Sequence, residues 1–106
     1  MPRHSDPPNL DCHPYCADQV ERLNGDPELA ILKVPMRALL WGVATSPEEF
    51  DALDGAGVVR IAKSDAVKQA DGTEIPRIQL FFALRKGETP RLLYIHAPPY
   101  FTMPPL

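Results

Sequence analysis

The chain of 106 residues predicts an α+β fold: an antiparallel three- to four-stranded meander sheet in the C-terminal half, packed against two or three short helices from the N-terminal half. Three observations predict it. Helix start and stop signals crowd residues 11–56, alternation of apolar and polar residues with turn dipeptides dominates 57–97, and the length suits one core rather than two. The expected layout is one domain over 1–106. It has an extended polar leader at 1–10, a helical half with one strand at 11–56, a β-meander at 57–97 and a proline-spaced aromatic tail at 98–106.

An apolar share of 44% and a charged share of 24% are those of a globular protein. No window approaches the roughly 18 apolar residues needed to cross a bilayer, so no membrane partner is expected. The leader, MPRHSDPPNLD, has an arginine with no apolar stretch behind it and does not read as a signal peptide, which makes a cytoplasmic location the default. Two cysteines in such a chain do not make a disulfide framework. The 13 prolines fall heavily at the two ends, which should therefore be extended.

The first helix is expected over about 12–24. Asp11 is a good N-cap, Pro14 falls inside the first turn, and Leu10 can staple onto Tyr15. Cys12, Cys16, Val20 and Leu23 recur at helical spacing and share one stripe, while Asn24-Gly25 supplies the stop. Both cysteines then read as small buried hydrophobes. Zinc through Cys12 and Cys16 is the sharper alternative, but it needs two more ligands, and the spacing recruits neither His4, His13 nor His96. The string PYC resembles part of the CPYC motif of glutaredoxins, yet His13 precedes Pro14 and the first cysteine stands one place too far upstream. No metal and no cofactor are expected.

Asp26-Pro27-Glu28 restarts the chain as a short helix to about Lys33, with Pro35 forbidding its continuation. Met36–Ala44 is apolar on both parities apart from Arg37, which suits a strand covered on both faces, although a buried helix shows the same pattern. Ser46-Pro47-Glu48-Glu49 is a capping box with proline at the first helical position, and it predicts a two-turn helix ending at Gly55–Gly57.

The remainder reads as a meander whose turns predict a register. A two-residue loop at Asp71-Gly72 would set Val59 against Leu84, Ile61 against Phe82 and Lys63 against Leu80. A four-residue loop over Lys86–Thr89 would set Phe82 against Leu93, Leu80 against Ile95 and Ile78 against Ala97. Both turns then agree on one apolar face. The reverse face follows as the rows Arg60, Ala83, Leu92, then Ala62, Phe81, Tyr94, then Ser64, Gln79, His96. Unless a helix covers it, that face is an aromatic patch rimmed by arginine and histidine, the composition found at the centres of protein interfaces.

Catalytic patterns are wanting. Ser64 and His96 would lie two strands apart, about 9–10 Å, with Gln79 between them. No phosphate loop, zinc-protease or calcium-loop motif occurs. The acids Glu48, Glu49, Asp51 and Asp54 suit a solvated helix face. Charge is uneven: residues 1–56 hold ten acids and four bases, residues 57–106 four acids and seven bases. The basic meander (Arg60, Lys63, Lys68, Arg77, Arg85, Lys86, Arg91) admits a nucleic-acid partner. Helices followed by a meander ending in Tyr94 and His96 make an order similar in outline to the RelE-type ribonuclease toxins. That resemblance implies an RNA substrate, with His96 in the chemistry; those proteins are strongly basic, and this chain carries a net charge of −3.

The tail APPYFTMPPL holds Tyr100, Phe101, Met103 and Leu106 with no charge, so it either folds back over the sheet or docks on a partner. The expected function is that of a small non-catalytic protein-binding module, a regulator or inhibitor, acting through Arg60, Phe81, Leu92, Tyr94, His96, Tyr100 and Phe101. A protein partner leads, with nucleic acid or a second copy of the chain as alternatives.

Overall fold

The computed structural model describes residues 10–98, 100 and 101; the leader up to Asn9, with His4, and the tail positions Met103 and Leu106 lie outside them. The fold is α+β, as the sequence predicts, but the sheet is mixed and has five strands. Two α-helices accompany it.

β1 is Asp11–Cys12, where the sequence predicts the first turn of a helix. Those two residues pair in parallel with the strand Arg91–His96: Asp11 N–H donates to the Pro90 carbonyl at 3.0 Å and His13 N–H to that of Leu92 at 2.8 Å. This pairing takes up the backbone N–H groups of Asp11 and His13. Helix α1 therefore begins at Pro14, the position where proline is favoured, and runs Pro14–Gly25. The cap is His13, whose Nδ1 accepts from Tyr15 N–H at 3.2 Å, in place of Asp11. Cys12 and Cys16 thus sit on different elements rather than on one helical stripe.

A 3₁₀ turn over Pro27–Leu32 is capped by Asp26, which accepts from Glu28 N–H at 2.9 Å. It leads directly into helix α2, Lys33–Thr45. This corrects the expected strand at Met36–Ala44 and the expected stop at Pro35. Because the α-geometry restarts at Lys33, Pro35 falls in the first turn, where its missing N–H has no intrahelical partner to lose. Met36, Leu39 and Val43 are buried at helical spacing, and Val34 is left exposed.

The two-turn helix expected after Ser46 is also corrected: one 3₁₀ turn forms, Pro47–Glu49, with no side-chain cap. The ring of Phe50 explains the early stop. It seats on Gly42 of α2, where a Cβ would meet Phe50 Cζ at 3.0 Å, and meets Phe82 edge-on with centroids 5.8 Å apart. Holding the ring there extends the backbone at Phe50, and the chain continues as β2, Asp51–Ala52, antiparallel to the next strand.

β3 (Val59–Ser64), β4 (Val67–Lys68), β5 (Glu74–Ile75), β6 (Ile78–Ala83) and β7 (Arg91–His96) complete the chain. The five-stranded order is β1-β7-β6-β3-β2, and β4 with β5 forms a separate ribbon at the tip of the β3–β6 hairpin. The β6–β7 register matches the sequence expectation at its first half: Gln79 faces His96, Leu80 faces Ile95 and Phe81 faces Tyr94. A bulge then shifts the pairing so that Phe82 faces Leu92, leaving Leu93 as the extra residue.

The β3–β6 register is one residue from the expected one: Val59 pairs with Ala83, Ile61 with Phe81 and Lys63 with Gln79. The loop is three residues long rather than two. Gln69 N–H donates to Thr73 O at 2.7 Å, Thr73 N–H to the Asp71 carboxylate at 2.8 Å, and Gly72 takes φ +90°. Asp-Gly serves a three-residue loop with a left-handed last residue as well as it serves the two-residue turn. The slip turns all of β3 over. Ala62 enters the core, while Val59, Ile61 and Lys63 join Phe81 on the reverse face.

The contiguous core lies between the helices and one face of the sheet. Cys16, Leu23, Leu29, Leu32, Met36, Leu39 and Val43 meet Ala62, Ile78, Leu80, Phe82, Leu92 and Ile95. One polar side chain is buried among them. Gln19 donates its amide to Ile95 O at 2.9 Å and accepts from Ile95 N–H at 2.6 Å, so it makes the two backbone bonds that a neighbouring strand would make. No helix of the described residues is long and apolar enough to cross a membrane.

Candidate functional site

β6 is alternately buried and half-buried, and its half-buried positions, Gln79, Phe81 and Ala83, define the reverse face of the sheet. The strand twist and the Phe81–Tyr94 pairing bring the two rings into a stack, with centroids 4.5 Å apart and planes 19° from parallel. Neither ring belongs to the core, whose helical residues all pack on the other side. Ile61 lies beside Phe81 on β3, and His96 lies beside Gln79 on β7. His96 is half-buried, and its Nδ1 is buried with no hydrogen-bond partner among the described residues.

Four residues expected to contact a partner, Arg60 and Leu92 on this face and Tyr100 and Phe101 in the tail, are placed otherwise. Arg60 is on the opposite parity because of the β3 slip, and its guanidinium makes three hydrogen bonds to backbone carbonyls. Nε donates to Gly57 O at 3.0 Å, and one terminal nitrogen donates to Phe50 O at 2.8 Å and Glu48 O at 3.1 Å. It ties the 46–57 connection to the sheet. Leu92 is 2% exposed in the core, since the bulge places it opposite Phe82. Phe101 is 1% exposed: Ala97 N–H donates to its carbonyl at 2.7 Å, Phe101 N–H donates back at 3.0 Å, and Arg22 lies over its ring at 5.3 Å. Tyr100 packs partly buried against the same core. The described part of the tail is therefore docked on its own chain, and Phe81, Tyr94 and His96 remain on the reverse face.

Sequence reasoning missed the part of the site that the bulge creates. Leu93 and Tyr94 are consecutive and both half-buried, which strict alternation does not allow. With His13 and Tyr15 from the start of α1 they line a cleft of about 270 Å³. A second, larger cleft of about 470 Å³ lies on the other side of Leu93, lined by Asp11, Arg85, Glu88, Thr89 and Arg91 among others. Its charges are largely matched, and Arg91 approaches Asp11 at 3.7 Å. Likewise Lys63, at the edge of the aromatic face, lies 4.0 Å from Asp51. Both pairs are exposed and add little to stability.

Ser64 has the parity of Ala62 on the core side of β3, whereas His96 has that of Tyr94 on the reverse face, so the sheet separates them. Burial pushes the Cys16 thiol from its ordinary 9.0 up to about 12, and burial followed by the nearby Asp11 carboxylate raises that of Cys12. Neither is a poised thiolate. Among the described residues no three histidines, cysteines or acids come together as a metal site. No protein-family model matches the chain, and no curated protein matches it.

Proposed function

We propose that the protein is a small non-catalytic binding module, a regulator or inhibitor, that meets a partner protein through the reverse face of its sheet. The observation that carries this reading is the stacked Phe81–Tyr94 pair, half-buried and outside the core, on the side of the sheet away from the main core. A large stacked aromatic pair flanked by Ile61, Gln79 and His96 has the make-up of an interface centre. Arg60, paired with Phe82, points away from this face, so the face has one cation fewer to offer in the alternative reading as a nucleic-acid-directed protein.

The test compares three tagged chains in native lysate: wild type, Phe81→Ser combined with Tyr94→Ser, and Val34→Ser as an exposed control on α2. The expected result is a stoichiometric complex with wild type and the control that the double variant loses at an unchanged helix content. A complex that survives the double variant, or retention on heparin that falls steeply with salt in place of any protein complex, overturns the reading.

A further inference from the structure

The cleft beside Tyr94 adds a second contact region to the aromatic face, and its geometry says what enters it. Two independent features build it. The bulge in β7 inserts Leu93 between the paired residues Leu92 and Tyr94 and sets its side chain outside the core. On the other side, β1 ends at Cys12 and the chain turns into α1 through His13, whose Nδ1 accepts from Tyr15 N–H, and both residues line the cleft. Tyr94 belongs to both the cleft and the stack, which makes the two continuous.

Size and lining narrow the occupant. A volume of about 270 Å³ is below the roughly 300–1,000 Å³ of small-molecule and cofactor pockets. It fits one large side chain. His13, Tyr15, Leu93 and Tyr94 include no acid, lysine or arginine, and the walls are almost wholly apolar, so that side chain is uncharged and apolar. The sheet face itself is small: three strands about 4.8 Å apart and six residues long at about 3.3 Å each make roughly 300 Å². A stable dimer buries about 800 Å² on each partner. A second copy laid on this face is therefore under-supplied with contact, whereas a short segment needs less area and gains from a pocketed anchor.

We infer that the cleft formed by His13, Tyr15, Leu93 and Tyr94 is an anchor site for a single phenylalanine or leucine side chain of a short peptide segment in a partner protein. The inference rests on the binding-module reading and specifies how that partner is gripped. Leu93 and Tyr15 form the walls, and the rest of the segment crosses the Phe81–Tyr94 stack.

The test titrates the full isotope-labelled chain with N-acetyl-phenylalanine amide, and separately with N-acetyl-aspartate amide, while backbone and side-chain resonances are followed. Expected are saturable shifts centred on His13, Tyr15, Leu93 and Tyr94 with the phenylalanine probe and none with the aspartate probe. Tyr15→Ala and Leu93→Ser should each weaken binding by about tenfold, a change that the folded spectrum of either variant makes readable. Shifts confined to Ile61, Phe81 and Gln79 overturn the anchor while leaving the sheet-face reading standing. No saturable shift with either probe overturns the anchor too. Loss of the partner complex is the separate readout for the sheet face, so the two failures are distinguishable. A concentration-dependent dimer that protects the same four residues overturns the inference in favour of a second copy.

Discussion

Phe81 and Phe82 are neighbours on β6 with opposite surroundings. Phe82 is fully buried, meets Phe50 edge-on and stands opposite Leu92, within the layer formed by α1, α2 and the sheet. Phe81 is half-buried and stacks on Tyr94 alone. The two sides of one strand therefore differ in packing: Phe82 lies in the main core, whereas Phe81 lies outside it. The separation can be tested side by side.

The largest effect is expected on the core side. Phe82→Ala removes a ring from a closely packed layer and should cost about 3–5 kcal/mol, seen as a lower urea midpoint. Gln19→Ala comes next, at roughly 2–3 kcal/mol, because the Ile95 N–H and carbonyl lose their buried partner together. A third measurement uses Cys16, whose folded thiol holds its proton up to about pH 12 against an ordinary 9.0. Only the unfolded chain ionises between those values. Its contribution is whole below about pH 9 and is lost as pH rises toward 12, with a slope of at most about 1.4 kcal/mol per pH unit. Urea midpoints across this window should fall less steeply in Cys16→Ala than in wild type. The smallest effect belongs to the reverse face: Phe81→Ala should cost about 1 kcal/mol, the worth of an aromatic pair, while abolishing the partner complex. A Phe81 variant as destabilised as Phe82→Ala would erase the distinction between the two sides.

Much of this contrast is legible in the sequence, and the rest is hidden for identifiable reasons. The alternation Ile78-Gln79-Leu80-Phe81-Phe82 assigns β6 its faces, and the pairing of Phe81 with Tyr94 follows from the loop after it. The β3 faces depend on a single turn, and Asp71-Gly72 is compatible with loops of two and three residues, which give opposite answers. The two-residue loop puts Arg60 on the reverse face, and the three-residue loop turns it to the other. The α2 segment misleads because Met36–Ala44 is apolar on nearly every side, which erases the difference between a period of two and one of 3.6. Ser46-Pro47-Glu48-Glu49 has every local mark of a helix start, and a tertiary contact, Phe50 on Gly42, overrides it. The anchor cleft has no local signature, because a bulge and a helix cap 80 positions apart build it jointly.

The pairing of the Gln19 amide with Ile95 has a consequence for how this molecule meets others. With β1 joined to β7 at Asp11 and Cys12, and the amide occupying the outward N–H and carbonyl farther along, the β7 border of the sheet offers a foreign strand little to zip onto. Fibril-like stacking through that border is blocked by a side chain and two residues of backbone, so of the two borders of the sheet this one is closed.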